Sequence, residues 1–270
     1  MGGEQDVNAI RQFAIEAARA AGTVAARHQA ALGALTVDTK GRLDFVTRAD
    51  IEVEGAITAA IRARFPQDRI IAEEGSNADG TTGRCWIIDP IDGTHNFIRG
   101  MPNWAISIGV VEDGKPVAGV IHAPATGMTL SAARGAGAWH NEAPLPPRRD
   151  LPDGAANLVF VGISPSQPAA VHRWVPAYVR EDLGMAERRL GSATSGLSAI
   201  LLGHGDLYIG FGESIWDVAG GSVILEEAGY AHTLDWTARL GVGKLTYLCG
   251  QPDLVSRTRD AIAAAVLPQA

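Results

Sequence analysis

The stretch CWIIDPIDGTHNF, residues 85–97, decides how the rest of the chain is read. Cys85 to Ile88 form a short apolar run of strand composition, and the polarity changes abruptly at Asp89. Asp89 and Asp92 stand three residues apart with Pro90 between them. Proline fixes one backbone angle and carries no N–H, so a tight turn there can aim both carboxylates into one pocket. Two such charges about 4 Å apart repel by roughly 4 kcal/mol at an effective dielectric near 20. A folded site tolerates this only with a proton or a cation present, and a hard divalent cation held through oxygens is the simplest answer. Asp92-Gly93-Thr94 then opens a helix whose first N–H groups can hold a phosphate, Gly93 allowing close approach and Thr94 adding a hydroxyl. Together these features point to hydrolysis of a phosphate ester. The plainer reading of an Asp-x-x-Asp turn is a helix N-cap beside a solvated charge. Its neighbours argue against that: AEEG (72–75) ends the preceding strand, and WDVAGG (216–221) opens a later helix, with Trp216 serving core packing, the placement of Asp217, or both.

Working outward, Ile10, Phe13, Ala17, Ala21 and Val24 recur at three- and four-residue steps after an N-cap at Asp6, which predicts an amphipathic helix over 7–31. A second helix starts near Asp50, turns Val53, Ile57 and Ile61 inward and stops before Pro66. RIIAEEG (69–75) reads as a strand ending in two glutamates, so two successive strands end in carboxylates. From Trp104 to Val110 large and small apolar residues alternate, and EDGK (112–115) is an Asp-Gly hairpin signal leading into PVAGVIHA. With a further strand at Met128–Ala132 this makes an antiparallel meander, and RGAGAW (134–139) reads as a hairpin turn, not a dinucleotide-binding loop. APLPPRRDLPDG (143–154), with its prolines and mixed charge, is the most linker-like stretch; the Arg148-Arg149 pair within it reads as solvated. The internal boundary falls there, giving residues 1–147 as an α+β half with the metal-type motifs and 148–270 as an α/β half that completes the site. In that second half strands at Leu158–Val161, Arg188–Gly191 and Leu207–Phe211 alternate with helices over 168–182, 194–203 and from Trp216.

Composition bounds the function. The 270 residues carry 23 Lys+Arg against 30 Asp+Glu, a net charge of −7, so no basic field invites nucleic acid or an anionic membrane. Cys85 and Cys249 lie in apolar surroundings without metal-type spacing and read as buried thiols, which suits a reducing cytoplasm. MGGEQD at the start lacks an apolar signal core, and runs such as AISIGVV (105–111) are too short to span a bilayer. A soluble, untargeted, cytoplasmic protein is expected. None of the histidines falls in a zinc-type spacing, consistent with an oxygen-only site.

IIAEEG (70–75), WIIDPIDGTHNF (86–97) and SIWDVAGG (214–221), preceded by FVTRAD (45–50), resemble in order and spacing the motifs of the inositol monophosphatase family of magnesium-dependent, lithium-sensitive phosphatases. The resemblance covers nearly the whole chain. It implies an α/β fold, the layered αβαβα sandwich of the inositol monophosphatase and fructose-1,6-bisphosphatase type, assembled as a homodimer. It also implies two to three Mg2+ per active site: one held by Glu73, Asp89 and the main-chain carbonyl of Ile91, a second by Asp89, Asp92 and Asp217, and a weaker third near Glu73. By the same resemblance Thr94, hydrogen-bonded to Asp50, polarises the attacking water with Glu73, and the N–H groups of Gly93 and Thr94 bind the phosphate. Lys40 resembles the family lysine near the third ion, at a slightly shorter spacing. His95 reads equally as facing the mouth of the site or as a solvated helix residue.

For the alcohol, the resemblance implies contacts from Asp92, Asp217, the GSA turn (Gly191, Ser192, Ala193) and a glutamate six residues before the Trp of WD. That position is Gly210 here, whereas Glu213 stands three before Trp216. Either the loop has shifted and Glu213 substitutes, or the pocket does not read inositol in the usual manner. The expected substrate is a small-molecule phosphate ester, inositol monophosphate or a similar polyol phosphate. Histidinol phosphate is the alternative, Glu213 then meeting a cationic amine. A nucleotide 3′-phosphatase would want a basic and aromatic platform that the sequence lacks. A regulatory, partner-binding protein that keeps the fold is the alternative of a different class, and the retained metal-type carboxylates argue against it.

Overall fold

A computed structural model describes residues 7–31, 37–41, 44–146, 157–237 and 243–265, with 37–41 and 44–47 as backbone only. The side chain of Lys40, the Arg148-Arg149 pair and the expected boundary at 147/148 lie outside the described residues.

Helix α1 (Val7–Ala30) buries Ile10, Ala14, Ala18 and Ala21 along one side, the small residues letting it lie close to a sheet. A hairpin of β1 (Val37–Gly41) and β2 (Asp44–Thr47) leads into α2 (Arg48–Arg64), whose stripe Val53, Ile57, Ile61 is fully buried. Strands β3 (Arg69–Ala72) and β4 (Arg84–Asp92) pair in parallel, and a short helix α3 (Thr94–Ile98) follows. The meander β5 (Ala105–Glu112), β6 (Lys115–Ala123), β7 (Met128–Ala133), β8 (Gly137–His140) and β9 (Ala143–Pro144) completes a seven-stranded sheet in simple order from β3 to β9. RGAGAW forms the β7–β8 turn, braced by Glu227, which accepts hydrogen bonds from Gly135 N and Gly137 N.

The second sheet contains β10 (Leu158–Ile163), β11 (Ala186–Arg188), β12 (Leu207–Glu213), β13 (Ala231–His232) and β14 (Leu245–Gly250) in the order β11-β10-β12-β14-β13. Its helices are α4 (Ala169–Ala177), α5 (Ala193–Leu201), α6 (Ile215–Glu227) and α7 (Pro252–Ala264).

Among the described residues four buried clusters lie between five layers, the smallest joining β3 and β4 to α6. The first joins α1 and α2 to one face of the large sheet through Trp86, Ile88, Ile106 and Val120. The second fills the middle with α5 and α6, through Leu130, Leu197, Val223, Ile224 and Tyr247. The third packs α4 and α7 on the outer face of the small sheet through Val171, Val175, Ile209 and Val255. This is the αβαβα sandwich, and its middle helical layer brings α6 down on β5 and β6. A Cβ built at Gly220 would lie 2.7 Å from Ser107 Oγ and 2.8 Å from the Val120 carbonyl, so the glycines of WDVAGG let α6 approach the sheet closely.

Two expected elements are corrected. The strand expected at Arg188–Gly191 lies at Ala186–Arg188, because Gly191 adopts a left-handed φ of 71° and Ser192 is already the N-cap of α5. The helix expected over 168–182 is α-helical only to Ala177 and passes into a π-helical turn at Tyr178–Asp182; Pro176, which has no N–H to donate, sits in its last turn.

Candidate active site

Strand periodicity places the first two carboxylates. Ile71, Cys85 and Ile87 share a cluster with Ile215 and Ala219 of α6, whereas Ile70, Ala72, Trp86 and Ile88 face α1 and α2. Alternation therefore sends Glu73 and Asp89, the next residues in phase, toward the α6 side. The register Ile71↔Ile87 makes them neighbours, Glu73 N donates to the Ile88 carbonyl at 3.2 Å, and their side chains are hydrogen-bonded.

The chain then bulges. Asp89 pairs with Ser107 but Asp92 with Ala105, so one extra residue is accommodated around Pro90-Ile91. Ile91 N donates to Asp89 Oδ1 at 3.0 Å, and the Ile91 carbonyl accepts from the Thr94 hydroxyl at 3.2 Å. Gly93 sits at φ 93°, and a Cβ there would meet the Asn103 carbonyl at 2.8 Å and Ser192 Cβ at 2.9 Å; this position requires glycine twice over. Helix α3 spans only five residues, so it offers N–H donors with little accumulated dipole.

Asp92 is turned toward the start of α5. Its Oδ2 accepts from Ser192 Oγ at 2.6 Å, Thr194 N at 2.6 Å and Thr194 Oγ1 at 2.5 Å, while Oδ1 accepts from Ala193 N at 3.3 Å. The GSA turn thus meets Asp92 directly, and Asn96 Nδ2 ties the same region together by donating to the Asn103 and Leu190 carbonyls. Asp217 arrives from the first turn of α6, its Oδ2 accepting from Ser214 N at 2.6 Å. Asp50 is buried in the first turn of α2. Beside the carboxylates opens a cavity of about 460 Å³ whose lining includes Thr94, His95, Ser192, Glu213 and Asp217; His95 is exposed at it.

The electrostatics are those of like charges in a dry place. Asp89 is held well above the ordinary carboxylate range by burial first, then by Glu73, Asp92 and Asp217. Asp217 is likewise raised well above it, by burial, then Glu213, Asp92 and Glu73. Burial also raises Asp92 and Glu213, against the hydrogen bonds that favour their charged forms. Among the described residues no three His, Cys, Asp or Glu side chains close into a ready metal shell; the carboxylates are turned toward N–H and O–H donors instead. The donor set nevertheless fits magnesium: oxygen only, anionic, with Asp89 buried and Glu73, Asp92 and Asp217 partly so, and mutually repelling, which is the environment a hard cation relieves.

A stability prediction follows. A carboxyl with a raised folded pKa binds its proton more tightly folded than unfolded, so its contribution is intact below about pH 4 and is lost as pH rises through the raised value. With a chelator present, the melting temperature should fall between about pH 5 and about pH 8, and magnesium should restore more stability at the higher pH. Thermal melts at both pH values check this; a restoration that is larger at the lower pH would contradict it.

Several residues were not singled out from sequence. Glu54 is buried on α2 and accepts from Glu74 N at 2.6 Å and Ser76 N at 2.8 Å, fixing the turn that carries Glu73. The signal was present: Asp50, Glu54 and Thr58 recur every four residues along the apolar side of the helix, and all three are buried. Thr194, Tyr208 and Lys244 gave no local signal. Both cysteines are buried free thiols, and burial pushes Cys85 up to about 11. Among the described residues no helix is long and apolar enough to cross a membrane.

Comparison with known proteins adds four findings. A model described as the inositol monophosphatase family matches residues 6–269. The chain is 37% identical over 219 residues to the Nus factor SuhB of Xylella fastidiosa, covering 80% of this chain and 78% of that protein. It is 37% identical over 189 residues, 70% of this chain and 71% of the relative, to a Thermotoga maritima protein named fructose-1,6-bisphosphatase/inositol-1-monophosphatase. Among solved structures, the extragenic suppressor protein suhB of Bartonella henselae matches with a TM-score of 0.82 at 28% identity, covering 94% of this chain and 98% of that one.

Proposed function

The chain belongs to the inositol monophosphatase family, and from that premise we propose that it is a magnesium-dependent phosphate monoester hydrolase acting on inositol monophosphate or a similar polyol phosphate. The observation that supports the reading is that Glu73, Asp92 and Asp217 all lie near enough to Asp89 to oppose its ionisation, beside the Gly93-Thr94 turn and a cavity large enough for a small ester.

In this reading Glu73, Asp89 and the Ile91 carbonyl would hold one ion and Asp89, Asp92 and Asp217 a second, with a weaker third near Glu73. Bound magnesium supplies the positive charge that activates water and stabilises the leaving oxygen. The chain does the positioning that phosphoryl transfer chiefly needs. Gly93 N and Thr94 N grip the phosphate oxygens. Thr94 Oγ1, working with Asp50, would polarise the attacking water together with Glu73. Asp92, fixed by the start of α5, and Asp217, fixed by the Ser214 N–H, arrive already oriented, so little side-chain entropy is lost when substrate binds. The same reading includes a cytoplasmic homodimer inhibited by lithium.

A second reading is favoured by one observation, that the Xylella relative is named a Nus factor: the chain would then serve a regulatory partner while keeping the fold. The two separate in a magnesium-dependent phosphate-release panel on inositol 1-phosphate, L-histidinol phosphate, fructose 1,6-bisphosphate and a 3′-phosphorylated nucleotide. Inositol 1-phosphate should lead by at least about tenfold in kcat/KM, about 1.4 kcal/mol of transition-state discrimination. A lead for histidinol phosphate would overturn the choice of alcohol. Flat inactivity on all of them would leave the regulatory reading standing.

A further inference from the structure

The pairing of β12 with β14 delivers a cation to the edge of the carboxylates. Glu213 and Leu245 are register partners on these antiparallel strands, so Ser214 and Lys244, which lie just beyond them, come side by side. Leu245 packs against the cluster that contains Ile215 of α6, which anchors the strand end. Lys244 Nζ donates to Ser214 Oγ at 2.6 Å. An ammonium group has only donors, so the hydroxyl accepts, and Ser214 is itself buried. The N–H of the same serine donates to Asp217 Oδ2 at 2.6 Å. Although Lys244 as a whole is exposed, its charge therefore ends beside the serine that orients Asp217 and directly follows Glu213.

The charges around that ammonium are mostly negative. Glu213 feels Asp92, which opposes its ionisation, and Lys244, which favours it, and it is hydrogen-bonded to Asp217. Asp217 in turn is opposed by Glu213, Asp92 and Glu73. Arg189 lines the cavity but pairs with Glu187 at 3.5 Å, and His95 stands exposed at the mouth. A fixed cation among such carboxylates has two effects: it offsets their mutual repulsion while no metal is bound, and it repels an ion that arrives among them. Its charge matters more than its hydrogen bond, because the Ser214 N–H that orients Asp217 belongs to the first turn of α6 and stays in place without the lysine. We propose that Lys244 is a built-in counter-cation for Asp217 and Glu213, steadying them in the metal-free protein and weakening the hold of Asp217 on its magnesium ion. The magnesium position at Asp217 rests on the phosphatase reading above; the counter-charge on the carboxylates does not.

The test is a calorimetric titration of magnesium near pH 7 into the metal-free wild type, Lys244→Met and Lys244→Arg, and into Asp217→Asn with and without Lys244→Met. Lys244→Met should bind the more weakly held ion about fivefold more tightly, since a repelling charge is gone. Lys244→Arg, which keeps the charge, should stay within about twofold of the wild type. Raising the salt to about 0.3 M should shrink the difference between Lys244→Met and the wild type, because the ammonium is partly exposed and screened. In the Asp217→Asn background the Lys244→Met change should be no more than about twofold. A lost structural contact would instead weaken binding and would not respond to salt. Unchanged or weaker binding in Lys244→Met, or a tightening that Lys244→Arg shares, overturns the proposal. If the wild type binds no magnesium, the metal centre fails separately, and the counter-charge is read from metal-free melts at low salt. A melting temperature several degrees lower in Lys244→Met, restored in Lys244→Arg, supports it, and equal melting temperatures overturn it.

Discussion

Replacing Asp89 with asparagine is expected to lower magnesium-dependent phosphate release by about a thousandfold, roughly 4 kcal/mol in the barrier, while raising the melting temperature of the metal-free protein. The two effects have one origin. Asp89 is almost completely buried on the α6 side of β4, with Glu73, Asp92 and Asp217 all opposing its ionisation. Asparagine keeps the size and can still accept the Ile91 N–H, but it removes the charge proposed to bridge two ions. Without metal, folding must either bury that charge or protonate it, so a neutral amide there stabilises by about 1–3 kcal/mol, or several degrees. With magnesium, the variant should gain less than the wild type. Paired melts with and without magnesium, alongside phosphate release, measure both effects. A variant that is inactive and also less stable without metal would assign Asp89 a structural role instead.

Asp92→Ala should behave in the opposite way toward stability. Its carboxylate accepts from Ser192 Oγ, Ala193 N, Thr194 N and Thr194 Oγ1, so it closes the N-terminus of α5 from another part of the chain. Hydrogen bonds to a charged acceptor contribute about 1.5–3 kcal/mol each at most, and partly buried donors would be left without it. A loss of about 2–4 kcal/mol is expected whether or not magnesium is present, lowering the melting temperature by roughly 5–12 °C. Activity should fall about as far as in Asp89→Asn, because both a proposed ligand and the placement of the GSA turn are lost. Denaturant or thermal melts of the two variants side by side give opposite signs. Equal melting temperatures would mean that the α5 contacts carry little of the fold.

The part of this site that could be read from sequence is the part whose partners are close in sequence. Asp89, Asp92 and Gly93 lie within one turn, and the abrupt end of an apolar strand announces them. That RIIA and CWII are strands ending in carboxylates needed only strand composition; their parallel pairing is seen in the structure alone. Contacts between distant segments were not legible. Nothing near Asp92 indicates that residues 192–194 will supply its donors, and nothing near Gly210 shows that Glu213 will fold back over it. The sequence left two options for Gly210 and Glu213. Glu54 was legible in principle, since a charged residue in phase with Val53 and Ile57 has to find buried donors, and it does so in the backbone of residues 74 and 76. The misplaced strand before Gly191 shows the limit of composition: ERRLGSA has no apolar alternation, and only the left-handed glycine and the serine cap mark where the helix begins.

The most direct measurement is a calorimetric titration of magnesium into the metal-free protein near pH 6, repeated in buffers of different ionisation enthalpy. Saturable binding of about two ions per chain is expected, with protons released, because carboxyls held above their ordinary range must give up protons to bind a cation. An absence of saturable binding, or binding that persists unchanged in Asp89→Asn, would contradict a metal centre at the ends of these two strands.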